Sequence, residues 1–218
     1  NGIMKHQTFL MWFFIFLVWA FYRANFQLPE SVDEFIVKPL VFVMPIVYLV
    51  WVKENKSLKE IGLGIKLKGL VIDLYIGVVL GILLAVEGLL ANYLKYGKFS
   101  FLPIEALFIA GGIGSFLLIN IAASVSEEIF GRGYLYNRLF KTSKEQAACA
   151  VVSSFLFMLI HIPIMFTRLH LTGNALIFYP LSIFTMGVVN SYVFTMRKNL
   201  VLPVLIHTFW NMTVSLYL

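Results

Sequence analysis

Charge and cysteine are both scarce in this chain. Only 13% of its 218 residues are Asp, Glu, Lys or Arg, where a soluble domain carries about a quarter. One cysteine, Cys149, excludes an internal disulfide and any multi-cysteine metal site. Its setting, Ala147-Ala148-Cys149-Ala150, suits close helix packing better than thiol chemistry. No Gly-x-Ser-x-Gly elbow and no His-Glu-x-x-His pair occurs, so serine-hydrolase and zincin-type mechanisms lack their sequence basis. Low-complexity tracts, linkers and internal repeats are also missing, and with them the inverted halves expected of many carriers. The first apolar run is too long and aromatic for a cleavable signal sequence.

What is abundant is apolar: 60% of residues are hydrophobic and 16% aromatic. Crossing ~30 Å of hydrocarbon takes about 20 apolar residues. Runs of that kind fall at 8–27, 36–52, 69–92, 106–130, 145–163, 175–196 and 199–217. The expected fold is all-α: a polytopic transmembrane bundle of about seven spans forming a single domain over 1–218. The net charge of +6 does not indicate nucleic acid, because the basic residues sit in short gaps between apolar runs. Alternate gaps collect eleven and five of them, Arg132 apart. Excess Lys and Arg mark the cytoplasmic face, so we expect a multi-pass plasma-membrane protein with its N-terminus inside and its C-terminus outside. In that count Arg23 and Lys38 belong to the first, outer gap. Lys53–Lys68 is too polar to cross and is expected as a solvated loop or an interfacial helix on the inner leaflet. Gly77 and Gly81, continued by Ala85 and Gly88, form a small-residue face for close helix contact.

Against this background a few polar residues stand out. Ionised side chains in hydrocarbon each cost about 2.5–3.5 kcal/mol on the lenient insertion scale, yet Glu127, Glu128 and Arg132 lie together in the fourth run. Asn120, Ser124, Glu127 and Gly131 share one helical stripe, which must face protein or water. Glu128 and Arg132, four apart, are expected to pair. Glu127 then has no cation on its own helix and is expected as an unpaired carboxylate, suited to act as a general base. His161 ends an apolar run with Phe157 one turn back on the same face, where the ring shields the imidazole. His207 and Asn211 project together from the last run. Each histidine alone is explained by interhelical hydrogen bonding. Jointly, Glu127, His161, His207 and Asn211 supply a base, a second acid or base and two donors, the set needed to activate water and hold an oxyanion. Zinc also takes histidine and carboxylate ligands, so a metal is a less favoured alternative that the sequence leaves open. Glu87 is a further candidate for the cavity or for the outer boundary. Asp73 is expected at the interface and His170 in solvent; Asn190 and Ser191 either line the cavity or bond to neighbouring backbone, the latter being favoured.

Glu127-Glu128-x-x-x-Arg132, Phe157-x-x-x-His161 and His207-x-x-x-Asn211 together resemble the CPBP family, the CAAX protease and bacteriocin-processing enzymes also called the Abi family. The approach Leu200-Val-Leu-Pro-Val-Leu-Ile-His207 is similar too, and the resemblance covers about 106–217. It implies a glutamate-type intramembrane endopeptidase that works without a metal or other cofactor. Glu127 with His161 would activate water, His207 with Asn211 would stabilise the oxyanion, and Glu128, Arg132 and Phe157 would support them. The substrate would be a peptide precursor or the C-terminal region of a membrane-associated protein, with the bilayer as the other partner. A non-catalytic bacteriocin-immunity or peptide-binding protein is the alternative; a proton-coupled carrier using Glu127 and Glu87 is a weaker one.

If the fourth, fifth and seventh spans were straight rods entering near Lys141, Lys144 and Lys198, Glu127, His161 and His207 would lie ~21, ~26 and ~14 Å deep. One site cannot tolerate that spread. A break near Gly131 and Gly133, laying 134–140 along the interface, is therefore expected, with water entering from the cytoplasmic side.

Overall fold

The computed structural model describes residues 2–109 and 112–217, and every regular element among them is helical. The chain forms α1 (Gly2–Asn25), α2 (Glu30–Lys53), α3 (Leu67–Tyr96), a short α4 (Leu102–Ile109), α5 (Ile113–Ser143), α6 (Gln146–Thr167), α7 (Ala175–Arg197) and α8 (Val201–Tyr217). Six of these are long and apolar enough to cross a membrane, and α8 is a shorter apolar helix. Their outward faces carry Phe13, Leu17 and Phe21 on α1 and Tyr75, Ile82 and Val86 on α3, all exposed. Such a surface suits lipid and not water. This is a multi-pass membrane protein.

Two ends of the bundle are defined by contacts. At one, Asp33 is fully buried and accepts hydrogen bonds from Tyr22, from Arg23 (2.6 Å) and from Arg168 (2.6 Å), joining α1, α2 and the end of α6. At the other, the 54–66 segment meets α5 and the α7–α8 corner. There Arg138 donates to Glu54 (2.5 Å), Lys141 to Glu60 (2.5 Å) and Asn137 to the Glu60 carbonyl (2.6 Å). We call these the Arg168 end and the Lys144 end.

Several expectations change here. The fourth span does not run over 106–130. Residues 110 and 111 of that stretch lie outside the described residues, α4 is separate, and α5 runs from Ile113 to Ser143. Hydropathy ended the span at its polar motif, but those polar side chains are buried inside the bundle, so the helix continues through them. Nor does the helix break at Gly131 or Gly133. From Ile129 to Tyr136 it widens into π-helical turns, with Asn137 N–H reaching back five residues to the Arg132 carbonyl. The glycines serve close approach instead. A Cβ on Gly133 would stand 2.5 Å from the Ile61 carbonyl oxygen, and one on Gly131 would stand 3.1 Å from the Phe157 ring.

The interfacial helix is replaced by a plug. A 3₁₀ turn at Leu58–Ile61, N-capped by the Ser57 side chain, dips inward until Ile61 is buried against Gly133. Gly62 follows at φ +82°, a backbone state open to glycine at little cost, and its carbonyl accepts from Leu200 N–H (3.2 Å). This contact starts α8 deep in the bundle. Leu200 is at the level of Gly133, since its Cδ1 would lie 3.3 Å from a Cβ there. Six residues then separate Gly133 from Glu127 and seven separate Leu200 from His207, so the expected mismatch in depth disappears without a break.

The glycine stripe of α3 finds its partner within the chain. Cβ atoms on Gly77 and Gly81 would collide with Leu205 and Phe209 of α8, at 2.5 and 2.7 Å. Asp73, near the start of α3, is buried and accepts from Arg197 Nε (2.5 Å) and Asn199 Nδ2 (3.0 Å), tying α3 to the α7–α8 corner.

Candidate reaction centre

Three helices, α5, α6 and α8, deliver Glu127, Glu128, Arg132, His161 and His207 to one place, and α2 and α7 add groups that hydropathy concealed. On α5 the stripe Asn120, Ser124, Glu127 and Gly131 is buried as expected. On α6, Pro163 has no N–H to continue the ladder, and His161 stands at the turn between the helical stretches Gln146–Ile160 and Ile162–Thr167. Its Nδ1–H donates to the Phe157 carbonyl (2.9 Å), which leaves Nε2 directed at Glu127 Oε2, 3.4 Å away. On α8, His207 Nδ1–H donates to Glu128 Oε1 (2.8 Å), and its Nε2 lies 3.5 Å from the same Glu127 oxygen. Two imidazole nitrogens thus face one carboxylate oxygen. Each ring is held by a hydrogen bond at its other nitrogen, which fixes its orientation.

Glu128 and Arg132 pair at 2.9 Å as their spacing requires. Asn190 joins them from α7, donating to Glu128 Oε1 (3.0 Å) and to the Pro203 carbonyl (3.0 Å). Asn190 therefore belongs to the centre as well as to neighbouring backbone, while Ser191 bonds only within α7, to Gly187 (2.8 Å). The Arg132 guanidinium stacks on the Phe157 ring, 4.4 Å from its centroid. That ring also meets His161 and His207 edge-on, at 4.9 and 6.2 Å. Gly187 leaves room for the guanidinium, because a Cβ there would stand 3.1 Å from Arg132 Nη2. Asn211 is one turn beyond His207, half-buried, and has no hydrogen-bond partner among the described residues. Glu87 points outward from α3 and His170 is exposed, so neither joins the centre.

One expectation fails outright. Glu127 is not unpaired: Lys38 Nζ donates to its Oε1 at 2.6 Å and lies 2.7 Å from Glu34 Oε2. Lys38 is buried within α2 and is no part of an outer loop. The sequence does carry a signal for it, since Glu34 and Lys38 stand four apart as Glu128 and Arg132 do. Drawing the second span at 36–52 hid that spacing by cutting between the two residues. Lys38 reaches inward from an unusual helix. Pro39 and Pro45 remove two ladder donors, and much of α2 is π-helical, with Lys38 N–H bonded to the Asp33 carbonyl and Met44 N–H to the Pro39 carbonyl.

The centre is not displaced toward the Lys144 end. His161 is seven residues from Arg168 and fifteen from Gln146, roughly 10 and 22 Å along the helix. Glu127 is near the middle of α5. Water entry from the Lys144 end has thus lost its premise. A cavity of about 240 Å³ lined by Arg23, Phe26, Gln27, Leu28, Thr167 and Arg168 lies at the opposite end.

These paired acids and imidazoles, with the spacing that carries them, fall in one continuous stretch of chain. Residues 109–213 match the family model Type II CAAX prenyl endopeptidase Rce1-like. The match covers about half of the chain and includes Glu127, Glu128, Arg132, Phe157, His161, His207 and Asn211. It supports the CAAX-protease side of the resemblance without singling out the bacteriocin-processing grouping. No curated protein and no solved structure matches the chain. Among the described residues, no group of three or more His, Cys, Asp or Glu side chains is arranged to hold a metal ion. Helices α1 to α3, which bring Lys38 and the glycine stripe, lie outside the matched stretch.

Proposed function

We propose that this CAAX-protease-like protein is an intramembrane endopeptidase of the plasma membrane that hydrolyses a peptide bond with water activated by Glu127 and His161. The observation carrying this reading is the approach of His161 Nε2 and His207 Nε2 to Glu127 Oε2, at 3.4 and 3.5 Å. With both Nδ1–H groups already committed, the neutral rings and the carboxylate present three acceptors to one another. A water between them donates its protons to Glu127 Oε2 and His161 Nε2 and attacks the peptide carbonyl carbon through oxygen.

The developing oxyanion needs donors. Asn211 offers an amide with no other partner. His207, held at Nδ1 by Glu128, would donate from Nε2 to the oxyanion when its ring carries a second proton. Counting the groups in contact, Glu34, Glu127 and Glu128 are opposed by Lys38 and Arg132. Collapse of the tetrahedral intermediate breaks the C–N bond, and the proton taken from water passes to the departing amine. The substrate is a peptide precursor or the C-terminal region of a membrane-associated protein.

The test is cleavage of candidate peptides by purified protein, followed by mass spectrometry, alongside Glu127→Ala and His161→Ala. Cleavage lost in both variants, and unaffected by chelator in the parent, is the expected result. Chelator-sensitive cleavage restored by zinc would replace the metal-free mechanism. A parent protein that binds the peptides without cutting them would favour an immunity or peptide-binding role.

A further inference from the structure

We infer that Lys38, outside the stretch that matches the family, is a positioning residue that keeps Glu127 ionised and turns its Oε2 toward the two imidazoles. Glu127 is buried and has neighbours of three kinds: an ammonium at Oε1, two imidazoles at Oε2, and the Glu128 carboxylate one residue along the chain. Arg132 is committed to Glu128. Tyr179 of α7 lies within electrostatic reach of both Glu127 and Lys38. Among these groups Lys38 is the permanent cation in contact with Glu127. A buried carboxylate without such a partner becomes protonated instead of staying charged. A protonated Glu127 cannot accept a proton from water.

The ammonium also sets direction. Occupying Oε1 from α2 leaves Oε2 as the free oxygen, on the side where α6 and α8 bring His161 and His207. Lys38 is itself held at its other side by Glu34, so α2 carries a prearranged ion pair that seats on α5. The matched half of the chain thus brings the reacting groups, and the unmatched half sets their charge state.

Two measurements separate this role from packing. Infrared spectroscopy of Lys38→Met at neutral pH should show the carbonyl stretch of a buried protonated carboxyl that is weak or absent in the parent. Lys38 also partners Glu34, so Lys38→Met/Glu127→Gln assigns the band: the Glu127 component should vanish and only what Glu34 contributes should remain. In the peptide assay kcat should fall about 10²-fold, the effect expected when a reacting group is misplaced by an ångström, with KM little changed. Lys38→Arg, which keeps a cation, should recover much of that loss. Should Lys38→Met fail to fold, Lys38→Gln keeps the hydrogen-bond donors without the charge and serves the same test. Absence of a Glu127-dependent carboxyl band in a folded, uncharged variant, or cleavage at the parental kcat, would overturn the assignment. Because the inference concerns the hydrolytic reading, its failures are distinguishable. A band that behaves as described in a protein that cuts no peptide leaves Lys38 holding Glu127 and removes the hydrolase.

Discussion

Two charge networks meet at His207, and they differ in how tightly the carboxylate oxygen facing that ring is held. On one side Glu128 Oε1 receives Arg132, Asn190 and His207 Nδ1, all within 3.0 Å. On the other, Lys38 occupies Glu127 Oε1 at 2.6 Å, while Oε2 looks toward two imidazoles at 3.4 and 3.5 Å, longer than a direct hydrogen bond. Adjacent residues of identical type therefore do different work. The crowded oxygen of Glu128 ties α5, α7 and α8 together. The looser oxygen of Glu127 leaves the opening that the proposed activation of water would need.

The sharpest way to break that contrast is to neutralise each acid without changing its shape. Glu127→Gln should lower peptide cleavage by about 10²- to 10⁴-fold, the usual contribution of a positioned general base. Its thermal midpoint should stay near the parent's, since Lys38 keeps Glu34 as partner. Glu128→Gln should do the reverse in emphasis. Removing one partner of a buried ion pair costs about 3–5 kcal/mol, so detergent-solubilised protein should melt well below the parent, and activity should fall somewhat further than the folded fraction because Glu128 also holds His207 Nδ1. Equal loss of stability in both variants would erase the distinction between the crowded oxygen of Glu128 and the looser one of Glu127.

A second way sharpens the Glu128 side. Arg132→Met removes a guanidinium that contacts Glu128 and stacks on Phe157. Stability should drop by a similar ~3–5 kcal/mol. Because Phe157 also touches both imidazoles, residual activity should fall further than the folded fraction explains. Thermal melts and cleavage rates on the same preparations check this.

How much of this was legible beforehand depends on what kind of signal each residue leaves. Glu127, Glu128, Arg132, His161 and His207 could be found because ionisable side chains are costly in apolar runs. The Glu128–Arg132 pair followed from helical spacing alone. Lys38 escaped because it stands at the end of its apolar run, where a lysine reads as a loop residue, and because the i, i+4 partner Glu34 fell outside the drawn span. Asn190 escaped because an amide in a helix is satisfied equally well by local backbone. The depth of His207 could not be read at all: it depends on Ile61 and Gly62 inserting under α8, a contact between residues over a hundred positions apart. That contact removed the need for a break, and the π-helical turns that stand at Ile129–Tyr136 instead are not encoded by hydrophobic periodicity.

Away from the charges, the α3–α8 seam is held by shape alone. Gly81→Leu would force a side chain where a Cβ already meets Phe209 at 2.7 Å. Overpacking of this kind typically costs about 1–3 kcal/mol. Since α8 carries His207 and Asn211, the variant should also lose cleavage beyond its loss of fold, and a smaller Gly81→Ala should lie between it and the parent. A Gly81→Leu protein with parental melting and activity would show that the seam does not hold α8 in register.

The smallest effect lies at the Lys144 end, where Glu60 and Lys141 pair at 2.5 Å with both side chains about half exposed. The Lys141 ammonium, through its hydrogen bond and its charge, holds the Glu60 carboxyl below its ordinary value. The sign follows. A carboxyl titrating lower in the folded state than in the unfolded one adds stability above the unfolded value, near pH 4.3. That stability is lost as pH falls through the folded value. Exposed pairs contribute only about 0–1 kcal/mol, so Glu60→Gln should lower the thermal midpoint slightly at pH 7. The gap from the parent should close as pH drops below about 4, and it should shrink in high salt. Unlike the Glu128 network, this pair also steadies the segment that seats Ile61 and Gly62 under α8. A Glu60→Gln effect on cleavage exceeding its effect on melting would therefore extend the plug's influence to the depth of His207.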